Sequence, residues 1–123
     1  MTAVMGFERK ELDALINAHS DIVIANDNSE SQVVLSGNSA TLEVACRELK
    51  CKRAIPLAVS GAFHSPFMSQ AADAFAAELD AMSFHDASVP VLSNTDPTPE
   101  TSGAALKARL RSQMTTGVRW RET

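Results

Sequence analysis

Histidine is the side chain best suited to moving protons near neutral pH, and the sequence contains three, His19, His64 and His85. His64 lies in the stretch GAFHSPFM, between a β-like run and an apolar-striped segment. Pro66 is typical of a first helical position and Ser65 can cap that helix, so His64 is expected at a strand-to-helix junction, where a side chain can face a cleft. From spacing alone His64 is either a catalytic base or a solvated loop histidine. His19 and His85 are interpreted as surface residues.

Other chemistry-bearing motifs are absent from the sequence. It contains no HExxH pair or other metal-ligand spacing, no G-x-G-x-x-G, no phosphate loop and no G-x-S-x-G nucleophile turn. Cys46 and Cys51 match no metal or redox spacing, and we interpret them as reduced thiols of a cytoplasmic protein. The sequence therefore predicts no metal site and no redox cofactor.

Composition restricts the class of protein. The chain has 123 residues, of which 45% are hydrophobic and 21% charged, enough to bury a core. Its formal net charge is −4 and it has no long Lys/Arg cluster, which argues against a nucleic-acid partner. No apolar run approaches the roughly 20 residues that a bilayer-spanning helix needs, so no membrane association is predicted.

Hydrophobic periodicity and turn residues predict alternating strands and helices. Over the first part of the chain they give the order β-α-β-β-α-β, which is the split βαβ arrangement of a ferredoxin-like unit. The predicted elements there are strand Thr2–Met5, helix Phe7–Ala18, strand Ile22–Ala25, strand Gln32–Ser36, helix Ala40–Lys50 and strand Arg53–Val59. Beyond His64 we predict helix Pro66–Met82, strand Val89–Asn94 and helix Ser102–Ser112, and no clear closing element in the tail. The cluster Asn26–Ser31 is predicted as a turn, and Pro56 suggests that its strand lies at a sheet edge.

Four segments, taken together, resemble consecutive motifs of the malonyl-CoA:acyl carrier protein transacylase family. They are ANDNSESQVVLSG, KRAIPLAVSGAFHSPFM, VPVLSN and QMTTGVRW. Their order and spacing both agree with the family pattern, and the resemblance covers essentially the whole chain. Each motif alone is modest, but four in register are specific.

The resemblance implies roles for particular residues. His64 matches the family's catalytic histidine, and Gln113 matches the position whose carbonyl accepts the other N–H of that histidine. Phe63 matches a position where phenylalanine accompanies malonyl selectivity, because a ring there leaves no room for an α-methyl group. Asn26 and Asn28 match a paired-asparagine turn near the active-site mouth, and are either ligand contacts or turn-forming residues. Without the resemblance, Gln113 reads as an exposed helix-end residue and Phe63 as a packing residue.

The resemblance also implies an α/β fold in two parts. Residues 1–62 would form a ferredoxin-like βαββαβ subdomain, and residues 63–123 a partial segment of a larger α/β-hydrolase-like acyltransferase lobe. In the family, the serine nucleophile in G-H-S-x-G and an arginine that clamps the malonyl carboxylate lie upstream of everything that this sequence matches. We therefore expect the isolated chain to be an inactive fragment, with the missing large lobe among its partners.

The implied activity is malonyl transfer from malonyl-CoA to the thiol of acyl carrier protein through an acyl-serine intermediate, in fatty acid or polyketide synthesis. The coenzyme A ester is the substrate, and no other cofactor is implied. Two alternatives stay open. One is a stand-alone ferredoxin-like binding or regulatory module that uses the helix after His64 as a dimer face. The other is a non-catalytic, truncated pseudogene product with no binding role.

Overall fold

The computed structural model covers residues 1–123 and describes a mixed α/β chain with one four-stranded antiparallel sheet and four α-helices. Two short 3₁₀ turns, Pro66–Met68 and Trp120–Glu122, accompany these elements. In chain order the elements are β1 (Thr2–Phe7), α1 (Arg9–Ala18), β2 (Ile22–Ser29), β3 (Gln32–Gly37), α2 (Ser39–Glu48), β4 (Cys51–Pro56), α3 (Ser69–Asp80) and α4 (Gly103–Ser112). None of these helices combines the length and the apolar character needed to cross a membrane.

The sheet has the strand order β2-β3-β1-β4, so β2 and β4 form its two edges. Every neighbouring pair is antiparallel. In the inner strand β1, Val4 lies opposite Val33 of β3 on one side and Ala54 of β4 on the other. Pro56, which cannot donate to a ladder, is the last residue of the edge strand β4. The predicted edge position of this strand is therefore confirmed.

The main core is formed by one face of the sheet together with α1 and α2. The helical stripe of α1 places Leu12 and Leu15 in this core, and Leu42 and Ala45 do the same on α2. Asn38 caps α2 by accepting hydrogen bonds from the next two free backbone N–H groups, at 2.9 and 3.2 Å. The ten residues of the core cluster all lie between positions 4 and 49: Val4, Phe7, Leu12, Leu15, Ile22, Val33, Leu35, Leu42, Ala45 and Leu49.

Strand β2 is longer than the sequence predicted. The predicted turn over Asn26–Ser31 is wrong in extent, because the strand continues to Ser29 and only Glu30 and Ser31 form the turn. Two register shifts, between Ile24 and Asn26 and between Asp27 and Ser29, keep this polar stretch paired with β3. Such bulges place an extra residue in one strand while the ladder continues on either side.

Two predictions beyond His64 also differ from the structure. The predicted strand Val89–Asn94 is wrong: only an isolated bridge joins Val91 to Glu100. Pro90 has no N–H to donate and no neighbouring strand is available to pair with this segment. The predicted helix Pro66–Met82 begins instead as the 3₁₀ turn and continues as α3 only to Asp80.

The tail of the chain returns to the sheet. Val118 forms a parallel bridge with Asn26 on the outer edge of β2, and its side chain is buried. This bridge fixes the tail against the sheet edge, and the sequence did not predict it.

Candidate active site

The loop around His64 is organised by Ser65. Ser65 is completely buried, and its hydroxyl donates to the Ala62 carbonyl at 2.5 Å while accepting from the Phe67 N–H at 3.3 Å. Pro66 occupies the first position of the following 3₁₀ turn, where its missing N–H leaves no unpaired donor. The predicted cap is confirmed, and it fixes the backbone on both sides of His64.

His64 has an unusual backbone conformation. Its φ of +58° makes it the one non-glycine residue of the chain with a positive φ. This left-handed region is sparsely populated by residues with a Cβ, and holding a residue there costs on the order of 1–2 kcal/mol. Residues in such conformations cluster at functional sites, where surrounding contacts keep them in place.

The His64 ring is tied to the end of α4. Its Nδ1 lies 2.8 Å from the backbone carbonyl oxygen of Gln113, and since a carbonyl only accepts, Nδ1 carries the proton. In the neutral ring Nε2 is then an unprotonated acceptor, and it makes no hydrogen bond within the chain. The structure thus brings together His64 and Gln113 and leaves one ring nitrogen able to take up a proton.

Gln113 is the C-cap residue of α4, and this helix is fastened to the preceding loop by Arg109. The Arg109 guanidinium donates to the Thr98 carbonyl at 2.7 Å and lies 3.1 Å from the Asp96 carboxylate. Hydrogen bonds from Thr98, with Arg109 nearby, hold the pKa of the Asp96 carboxyl below its usual value. The amides of Ser102 and Thr101 lower the pKa of the Glu100 carboxyl in the same way. Sequence patterns gave no signal for this polar network, because its partners form no recognisable motif.

The other predicted site residues lie at different places. Phe63 directly precedes His64 and is 37% exposed, so its ring is available to a ligand. Asn26 and Asn28 lie on the edge strand β2, and the structure places no hydrogen bond between either amide and the His64 ring. The backbone of Asn26 instead meets the tail at Val118.

Two cavities are possible positions for the candidate site. One of about 320 Å³ is lined by Gln113, Asn94 and Arg109, among others, next to the His64 partner. A larger one of about 570 Å³ lies between α2 and β4 and includes Cys46. Burial, followed by the neighbouring Cys51 thiol, raises the pKa of the Cys46 thiol, which disfavours the nucleophilic thiolate. We place the candidate site at His64 because its left-handed backbone and the contact of Nδ1 with the Gln113 carbonyl fix one ring nitrogen as an acceptor.

Sequence reasoning missed one group of residues connected to this site. The Asp27 carboxylate lies 2.9 Å from Arg9 and 3.1 Å from Arg121, which is separated from it by 94 positions. The signal was present as opposite charges within ANDNSESQVVLSG and directly after QMTTGVRW, but nothing in one sequence shows that these two segments meet.

Comparisons with known proteins find relatives that are named as transacylases. No protein-family model matches the chain. Over its whole length, however, the chain is homologous to malonyl CoA-acyl carrier protein transacylases. It is 50% identical over 123 residues to the one from Synechocystis sp., covering 100% of this chain and 42% of the relative. It is 37% identical over 130 residues to the one from Bacillus subtilis, covering 100% of this chain and 41% of that relative.

Solved structures of the same class superpose closely. The crystal structure of the Synechocystis malonyl-CoA:ACP transacylase matches with a TM-score of 0.96 over 99% of this chain and 42% of that chain. A malonyl-transacylase in complex with its type II polyketide synthase acyl-carrier protein matches with a TM-score of 0.86 at 33% identity, over 97% of this chain and 40% of that chain. The chain therefore spans about two fifths of the length of the relatives it matches.

Proposed function

We propose that this chain supplies the general base of a malonyl-CoA:acyl carrier protein transacylase, with His64 as that base and Gln113 as the residue that orients it. The observation that carries the proposal is the 2.8 Å contact between His64 Nδ1 and the Gln113 carbonyl, which leaves Nε2 as the proton acceptor. The relatives that it matches over its full length are named as enzymes of this activity.

The proposed reaction has two half-reactions. In the first, a serine hydroxyl attacks the malonyl thioester carbonyl and gives its proton to His64 Nε2. An ester bond forms, the C–S bond breaks, and the coenzyme A thiolate leaves with the proton from Nε2. In the second, the carrier protein thiol gives its proton to Nε2 and attacks the ester carbonyl; a new C–S bond forms, the ester C–O bond breaks, and the leaving serine oxygen takes the proton back from Nε2.

The serine would come from the part of the relatives that this chain does not match. We accordingly propose that the chain alone transfers no malonyl group, because a base without its nucleophile cannot form the acyl-serine. The thioester itself supplies the activated acyl group, so the proposal requires no cofactor.

We also propose the division of this chain into a ferredoxin-like subdomain, residues 1–62, and a segment of a larger acyltransferase lobe, residues 63–123. The element order and the strand order β2-β3-β1-β4 support the first assignment. The confinement of the core cluster to positions 4–49 supports a boundary after β4.

A chimera tests the function directly. This chain would replace the matching segment of the Synechocystis transacylase, to which it is 50% identical. We expect the chimera to transfer malonyl from malonyl-CoA to acyl carrier protein, and His64→Ala to lower kcat about 10²–10⁴-fold, the usual contribution of a general base. His85→Ala, which removes a histidine that the proposal does not use, is the matched control.

Three outcomes would contradict the proposal. One is a folded chimera without transfer activity, and another is an equal loss of activity in the His64 and His85 variants. Robust turnover by the isolated chain, measured with malonyl-CoA and carrier protein, would contradict the requirement for a second segment.

Three further residues are proposed substrate contacts in the same reaction. The partly exposed Phe63 ring would exclude an α-methyl group, so Phe63→Ser in the chimera should lower the ratio of malonyl to methylmalonyl transfer. Asn26 and Asn28 are proposed to contact the substrate near the active-site mouth. Loss of such a contact should raise KM for malonyl-CoA in Asn28→Ala, and an unchanged KM would assign this residue to the bulged strand alone.

A further inference from the structure

The two members of the His64–Gln113 contact reach each other from opposite edges of one sheet. Residues 57–63 lead from β4, at one edge, to His64. After Gln113 only residues 114–117 lead to Val118, which lies against β2 at the other edge. Because this second connection is short, the position of the tail on β2 restricts the position of the Gln113 carbonyl.

The tail contacts β2 through its backbone. The Val118 N–H donates to the Ala25 carbonyl at 2.7 Å, and the Val118 carbonyl accepts from the Asp27 N–H at 2.8 Å. Gly117 permits this approach, since a Cβ on it would lie 2.6 Å from the Ile24 carbonyl oxygen. A side chain at position 117 would therefore push the tail away from the sheet edge.

Ion pairs hold the tail next to these backbone bonds. Arg121 lies 3.1 Å from the Asp27 carboxylate and 2.6 Å from that of Glu30. Asp27 is mostly buried, with 17% of its side chain exposed, and it also accepts from Arg9 at 2.9 Å. Asp27 thus joins the tail to the start of α1 as well as to β2.

We propose that this tail latch, formed by Gly117, Val118 and Arg121 against residues 24–30 of β2 and the turn that follows it, is a positioning device for the His64–Gln113 contact. Asp27 is its positioning residue and acts on the base through the tail. The inference rests on the proposed role of His64. If the latch loosens, the Gln113 carbonyl leaves hydrogen-bond range, the neutral imidazole is free to carry its proton on Nε2, and in that tautomer it cannot accept a proton there.

The tautomer of His64 gives a readout that a purely structural role would not change. Long-range ¹H–¹⁵N correlation spectra of the ¹⁵N-labelled chain, recorded at pH 8 where an ordinary imidazole is neutral, show which ring nitrogen carries the proton. We expect Nδ1–H in the parent chain. In Asp27→Ala the Nδ1–H fraction should fall by about half or more, because the ring loses its fixed acceptor. Gly117→Ala should produce the same change by steric displacement.

Matched controls separate the latch from a general loss of ion pairs. Arg47→Ala removes an exposed ion pair within α2, and Arg111→Ala removes one on α4 itself, the Arg111–Asp80 pair. Neither pair touches the tail, so both variants should retain Nδ1–H. Arg121→Lys keeps the charge and should retain more Nδ1–H than Arg121→Ala. The two Arg121 variants also replace Asp27→Ala in the test if circular dichroism shows that this variant does not fold.

The outcomes distinguish the latch from the proposed function. An unchanged tautomer in folded variants of Asp27, Gly117 and Arg121 overturns the latch alone. A parent chain without Nδ1–H at His64 overturns both the latch and the orienting role of Gln113. A normal latch response with no effect of His64→Ala on the chimera overturns only the proposed function.

Discussion

The first 56 residues and the remaining 67 are stabilised in different ways. Residues 1–56 contain the whole core cluster, which two helices and the sheet enclose. In the second region the buried apolar residues are only Ala76, Leu79 and Val118. Most of the large apolar side chains exposed in the chain belong to that region: Leu57, Val59, Phe63, Phe67, Met82, Val89, Val91, Leu92 and Trp120.

The residues proposed for chemistry therefore lie where the chain has little core of its own. His64 and Gln113 are held by the Ser65 cap, the Arg109 network and the tail on β2, which are polar or backbone contacts. A packed core stabilises a fold in proportion to the apolar area that it buries, whereas a hydrogen bond or ion pair stabilises only the groups that it joins. Substitutions of core residues in the first region should therefore destabilise the whole fold, and substitutions of the polar contacts in the second should change the chain locally.

The largest expected effect is in the core of the first region. Leu12 is fully buried, and Leu12→Ala should lower the free energy of unfolding by about 2–5 kcal/mol through lost burial and a residual cavity. Urea denaturation followed by circular dichroism measures this. Val44→Ala, at a position 46% exposed, is the control and should change stability by less than about 0.5 kcal/mol. Similar values for both variants would contradict the view that the buried core, and not the exposed surface, stabilises the first region.

A smaller, local effect is expected at His64. At its φ of +58°, alanine pays the steric cost of the left-handed region and glycine does not. His64→Gly should therefore have a local opening free energy about 1 kcal/mol greater than His64→Ala, measured by hydrogen exchange of the Phe67 and Met68 amides.

The same pair of substitutions at His85 provides a control of opposite sign. His85 has a negative φ, so there the glycine variant should be the less stable of the two, because glycine loses more backbone entropy on folding. If glycine and alanine rank in the same order at both positions, the strain at His64 contributes nothing to the local stability.

The smallest expected effect is a local loss of stability at acidic pH. Hydrogen bonds from Thr98, together with Arg109, lower the pKa of the Asp96 carboxyl in the folded chain. The ionised carboxylate therefore contributes its full stabilisation at pH values above the ordinary aspartate pKa of about 3.9, and this stabilisation is lost as pH falls through the lowered pKa. The amides of α4 should then have smaller protection factors, in which the intrinsic pH dependence of exchange is removed, at pH 3 than at pH 5. Asp96→Asn should reduce this pH dependence in α4 while leaving that of α1 unchanged. Equal reductions in both helices would indicate a global effect instead of a local one.

Sequence periodicity predicted the first region well because its elements cover one another. Leu12 and Leu15 on α1, and Leu42 and Ala45 on α2, recur at helical spacing and are buried, since each helix packs on the sheet that the neighbouring strands form. Around α3 apolar periodicity predicted burial less well: Leu79 is buried, but Phe67 is 58% exposed. A periodic pattern indicates an apolar face, but it does not say what covers that face.

The candidate site was predictable only in part. The motif resemblance singled out His64 and Gln113, and the Ser65 cap followed from the residue types alone. The positive φ of His64 has no local signal, although histidine tolerates this region better than most residues. The contact between Asp27 and Arg121 joins residues 94 positions apart, and such pairing depends on the path of the whole chain.

The two edges of the sheet have a further consequence for the protein in solution. An unpaired edge strand is a template on which a second molecule can add its own strand, the first step of aggregation. On β2 the returning Val118 occupies the hydrogen-bonding groups of Ala25 and Asp27. On β4 the charged Lys52 and Arg53 are exposed and Pro56 ends the ladder. The tail that positions Gln113 therefore also blocks intermolecular pairing at this edge. Displacement of the tail would make the chain more prone to form fibrous assemblies.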